Sequence, residues 1–134
     1  MNHADRLMPA LLLTISAILA IWGAAGLIEY FVPSAMFRLQ NEKFPPGLQF
    51  LHFLSILIAG SVFIIGYIRR WPPTPFVTVT MYAVMATLCF IETVDFEAFG
   101  GGHTRYIPMV AEFFAYFCFS AYLLRSQKMR QRFQ

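Results

Sequence analysis

Four runs of apolar residues, each about as long as a bilayer is thick and each closed by charges or prolines, constrain this chain more than any other feature. A helix rises about 1.5 Å per residue, so roughly 20 apolar residues cross a ~30 Å hydrocarbon core. The first run extends from about Met8 to Val32, carries one charge, Glu29, and ends at Pro33. The second, from about Gly47 to Ile68, has no formal charge; it starts behind Pro45-Pro46 and stops at Arg69-Arg70. The third, from about Thr74 to Phe96, opens behind Trp71-Pro72-Pro73 and turns acidic at Glu92 and Asp95. The fourth, from about Ile107 to Leu124, is the shortest and has Pro108 in its first turn, where a missing N–H is tolerated. None shows the amphipathic period of a water-facing helix. With 58% hydrophobic and 13% charged residues in 134, the apolar surface has to face lipid.

The pattern predicts an all-α fold, a four-transmembrane-helix up-down bundle forming a single membrane domain over residues 1–134. Its expected spans are 8–32, 47–68, 74–96 and 107–124, followed by a basic tail over 125–134. Gly23-Ala24-Ala25 looks a little like a signal-peptide cleavage site, but the apolar run continues past it, so the first helix is expected to be retained.

Lysine and arginine set the expected orientation. With the N-terminus inside, seven of the ten fall on cytoplasmic segments: Arg6, Arg69, Arg70, Arg125, Lys128, Arg130 and Arg132. Arg38, Lys43 and Arg105 fall on the outer loops. Both N- and C-termini are therefore expected in the cytoplasm. Arg69, Arg70, Arg125, Lys128, Arg130 and Arg132 are expected to lie against anionic lipid headgroups.

This orientation gathers the polar residues at one mouth. Glu29, His52, Glu92, Asp95 and Glu112 all lie in the outer half, contributed by four helices. Residues three or four apart share a helix face, so Gln49, His52 and Ser55 form one stripe, Glu112, Tyr116 and Ser120 another, and Glu92 and Asp95 share a face with Cys89. Carboxylates facing lipid are costly, which directs them into the bundle. Glu29, His52, Glu92, Asp95, Glu112 and Tyr116 are thus the expected ligand- or cation-binding residues. A metal would draw on His52, Glu92, Asp95, His103 and Glu112, adequate ligands that lack any HxxxH or ExxH spacing. On the first helix, Ala20, Gly23, Ala24 and Gly26 offer a small-residue surface for close helix approach.

Other motifs carry less. Gly100-Gly101-Gly102 has no Gly-Lys-Ser/Thr element and reads as a flexible hairpin rather than a phosphate cradle. A haem would need His52 and His103 as axial ligands, and His103 lies in that loop. Cys89 and Cys118 stand alone, without a CxxC, and read as packing residues. No catalytic residue and no cofactor is identified by these patterns, and nucleic acid is not an expected partner. Aromatic residues wind round the fourth helix at Phe113, Phe114, Phe117 and Phe119, a face suited to lipid, to another subunit or to self-association.

The layout resembles a known group. A first helix ending Gly26-Leu27 to Pro33-Ser34-Ala35, a Pro-Pro-rich outer loop, a basic turn, an acidic end to helix three and a short Gly loop before an early Glu112 resemble small four-helix bacterial membrane proteins related to the DoxX-like group. The resemblance implies a bacterial inner (cytoplasmic) membrane and a four-helix fold, and carries no reaction with it. The function expected is therefore a non-catalytic polytopic inner-membrane protein whose outward Glu/Asp/His layer binds a cation or the polar head of a membrane-soluble ligand. The alternative is an accessory subunit of a larger respiratory, photosynthetic or transport complex.

Overall fold

The computed structural model describes residues 3–134. Four long helices, α1 (His3–Phe31), α2 (Pro46–Arg69), α3 (Thr74–Val94) and α4 (Tyr106–Arg125), are followed by a short α5 (Gln127–Arg132). All four long helices are apolar and long enough to cross a membrane, which makes the chain an all-α bundle built as a polytopic membrane protein. Each packs on the next in sequence and runs up and down, so one end carries the termini and the α2–α3 turn. The other end carries the two longer connections, 32–45 and 95–105.

The α1–α2 contact is the most extensive, and small residues make it so. In lipid there is no hydrophobic drive to join two apolar helices, so close backbone approach and packing have to hold them. A Cβ on Gly60 would overlap the Ser16 carbonyl and the Ala20 backbone, and one on Gly23 would overlap the backbone of Leu57. Gly26 makes room for the ring of Phe53, which is buried.

The α2–α3 turn is closed by its own chemistry. Arg70 takes a left-handed conformation (φ 53°), and the Trp71 N–H donates to the Gly66 carbonyl at 2.9 Å. The Thr74 hydroxyl donates to the Trp71 carbonyl at 2.6 Å and sits where a Cβ on Gly66 would be.

The segment 125–134, expected as a tail, folds back instead. Ser126 caps α5, its hydroxyl accepting from the Met129 N–H. Met129 and Phe133, one turn apart, then bury themselves against Leu12, Phe63 and Leu123. The polar residues of α5 reach α1 and α2. Arg132 donates through Nε and its terminal nitrogen to the Tyr67 carbonyl at 3.1 and 2.8 Å, with its guanidinium 3.6 Å from the Tyr67 ring centroid. Lys128 Nζ donates to the Asp5 carbonyl at 2.7 Å. That carbonyl is the one Pro9, four residues on and lacking an N–H, cannot serve, so the lysine replaces a missing helical bond.

Candidate ligand-binding cavity

At the loop end the helices separate around a cavity of about 240 Å³. His52 enters from α2, Glu92 from α3, and Glu112 and Tyr116 from α4; Leu39, Asn41 and Phe44 of the 32–45 connection complete the wall. Four of the six residues expected to bind a ligand therefore line one space.

Their pairing is specific. His52 Nδ1 lies 2.7 Å from Glu92 Oε1, with Glu92 buried and His52 about a quarter exposed. With Glu92 as a carboxylate, which only accepts, Nδ1 carries the proton and Nε2 is the ring's remaining polar atom. One turn apart on α4, the Tyr116 hydroxyl donates to Glu112 Oε2 at 3.2 Å, a long bond for this pair of groups. Gln49, one turn before His52, donates its amide N–H to the Asn41 carbonyl, which leaves Oε1 buried with no donor. A buried acceptor without a partner is uncommon, and Gln49 is one of the residues that line the cavity.

Glu29 and Asp95 stand apart. The Glu29 carboxylate accepts backbone N–H groups from Arg38, Leu39 and Gln40 at 2.7, 2.9 and 3.0 Å. Left-handed Met36 (φ 56°) and Arg38 (φ 60°) turn those amides toward it, making a small anion-binding concavity. The Gln40 side chain adds a bond to the Gly26 carbonyl at 2.9 Å. Glu29 thus pins the connection that forms one wall of the cavity and does not line it. Asp95 falls just beyond α3, which ends at Val94 rather than near Phe96, and its side chain is exposed, as is that of His103. The early end arises because Glu97 turns left-handed (φ 51°) and the Ala98 N–H folds back onto the Glu92 carbonyl at 2.9 Å. Among the described residues no three of His, Cys, Asp and Glu converge as a metal site.

The electrostatics are one-sided. The wall holds Glu92, Glu112 and Gln49, with His52 as its single basic group and neither lysine nor arginine. Lys43 and Arg105, on the two connections at this end, are engaged elsewhere. Lys43 Nζ donates to the Glu97 carbonyl at 3.2 Å, and Arg105 lies 3.7 Å from the Glu97 carboxylate and over the Tyr106 ring. Phe44 meets the edge of His52 at a centroid distance of 6.1 Å and that of Phe96 at 6.2 Å, so the roof is aromatic. The lower wall is apolar, from Leu19, Trp22, Ile56, Met85 and Leu88.

Helical spacing puts Gln49 on the His52 stripe but assigns it no role, and it assigns none to Asn41 or Phe44. The i, i+3 spacing of Gln49 and His52 was the available signal; the loop residues had none, because their placement depends on Glu29. No family model, no curated protein and no solved structure matches the chain.

Proposed function

We propose that the chain is a non-catalytic membrane protein that receives the polar head of a membrane-soluble amphiphile in this cavity. The observation that supports it is the pair of carboxyl groups, Glu92 and Glu112, in one wall that holds neither lysine nor arginine: such a wall calls for a ligand rich in donors or positively charged. A space of about 240 Å³ is far larger than a bare ion requires, and the apolar wall below the acids suits a hydrocarbon continuation. Among the two ligand classes expected from the sequence, the head of an amphiphile fits better than a cation alone.

Dodecylamine and dodecanoate share a tail and differ in the head, so together they test the reading. The full chain in lipid nanodiscs is expected to bind dodecylamine in clear preference to dodecanoate, and Glu112→Gln is expected to abolish that preference. Equal binding of both by the wild type overturns the proposal.

In this reading the termini face the cytoplasm of a bacterial inner membrane, by the excess of lysine and arginine at that end. The accessory-subunit reading draws on one observation. Of α4, only Met109, Phe119 and Leu123 are buried, while Phe114 and Phe117 stand 69% and 72% exposed. Co-elution of a stoichiometric second protein in mild detergent favours that role; a chain eluting alone counts against it.

A further inference from the structure

A second space lies at the opposite end, on the outer side of α2. It has a volume of about 580 Å³, a mostly apolar lining of Leu57, Ile58, Val62 and Ile65, and Arg69, Arg70 and Trp71 at its end. We propose that this groove binds one anionic phospholipid, with an acyl chain along α2 and the phosphate between Arg69 and Arg70.

Length, charge and shape each support this occupant. From Leu57 to Arg69 the helix rises about 18 Å, close to the ~15 Å that half a hydrocarbon core requires. The groove therefore runs from the arginines to near the midplane, the path of one acyl chain. The charges at its end are available. Lys128 and Arg132 are engaged by the Asp5 and Tyr67 carbonyls, whereas the side chains of Arg69 and Arg70 have no hydrogen-bond or ion-pair partner among the described residues. Two adjacent guanidiniums suit a phosphate, because each offers several donors in a planar fork.

The turn also shapes the pocket. Left-handed Arg70 reverses the chain, so that Trp71 and Pro72 border the groove as it leaves α2. Trp71 is 47% exposed and carries an indole N–H at the depth where tryptophan accumulates in membranes. Arginines attracted only to a charged surface would need no groove beneath them. The combination of fixed chain, tryptophan edge and apolar channel distinguishes a site from a general basic surface.

Native mass spectrometry of the full chain, supplied with phosphatidylglycerol and phosphatidylcholine of identical acyl chains, tests this. The wild type is expected to retain one phosphatidylglycerol in preference to phosphatidylcholine. Arg69→Gln/Arg70→Gln is expected to lower that preference roughly 30-fold, from the loss of two interfacial cations. Val62→Trp fills the channel and leaves both arginines, and is expected to lose the retained lipid; Ile58→Trp repeats the filling should the first variant not fold. Unchanged phosphatidylglycerol retention in the filled variants overturns the proposal by reducing it to surface attraction. Retention by the double glutamine variant overturns it as well. A lipid-independent dimer that Val62→Trp dissociates also overturns it, by showing that a second copy occupies the groove.

Discussion

The two ends of the bundle differ both in the residues that build them and in what fills them. At the terminal end Leu12, Phe63, Leu123 and Met129 are essentially inaccessible, and α5 closes the bundle from below. At the loop end the corresponding space is a cavity, walled by His52, Glu92 and Glu112 and roofed by Phe44. Dispersion and close packing hold the first, since lipid is as apolar as the core. Hydrogen bonds to a single carboxylate, Glu29, hold the wall of the second. One half is organised for cohesion and the other for access.

Truncating the packed half is expected to have the largest effect. Met129→Ala is expected to lower stability by about 2–5 kcal/mol, read from unfolding in mixed detergent micelles, with α5 released. A loss below about 1 kcal/mol would place α5 outside the cohesive half. At the open half Glu29→Ala leaves three part-buried amides without their acceptor and is expected to destabilise the chain less than Met129→Ala. The loss should be local. Hydrogen exchange is expected to speed up at Arg38, Leu39 and Gln40 while α5 stays protected, and uniform acceleration would erase the distinction between the two ends.

The smallest effect sharpens the account of how the terminal end is closed. Lys128→Met removes the donor that serves the Asp5 carbonyl, a loss of about 0.5–1.5 kcal/mol at this part-buried position. Pro9→Ala restores the helical N–H to that carbonyl. In a double-mutant cycle Lys128→Met is therefore expected to matter less in the Pro9→Ala background; strict additivity would show that the lysine does not substitute for the missing bond.

The spans were legible in the sequence because lipid allows little choice: runs of apolar residues bounded by Pro33, Pro45-Pro46, Arg69-Arg70 and Trp71-Pro72-Pro73 read directly as helices. The stripe Gln49–His52 and the pair Glu112–Tyr116 were legible by helical spacing. The division between the ends was not. It depends on Glu29 bonding to amides nine to eleven residues ahead, through left-handed Met36 and Arg38, and no periodicity reports a contact of that kind. Asp95 was placed with Glu92 because the apolar pattern continues to Phe96, whereas the Ala98–Glu92 backbone bond ends α3 earlier. α5 is not legible because six mostly polar residues resemble a tail. Its signals are the Ser126 cap and the one-turn spacing of Met129 and Phe133.

A density map of the chain purified from its native membrane into nanodiscs most directly tests the claim that the loop end is an acceptor-lined receptor. The account predicts non-protein density within hydrogen-bonding distance of Glu112, continuing between Trp22 and Leu88. A map in which the helices have closed together there, with Gln49 bonded to a protein donor and no space between His52 and Tyr116, would contradict it.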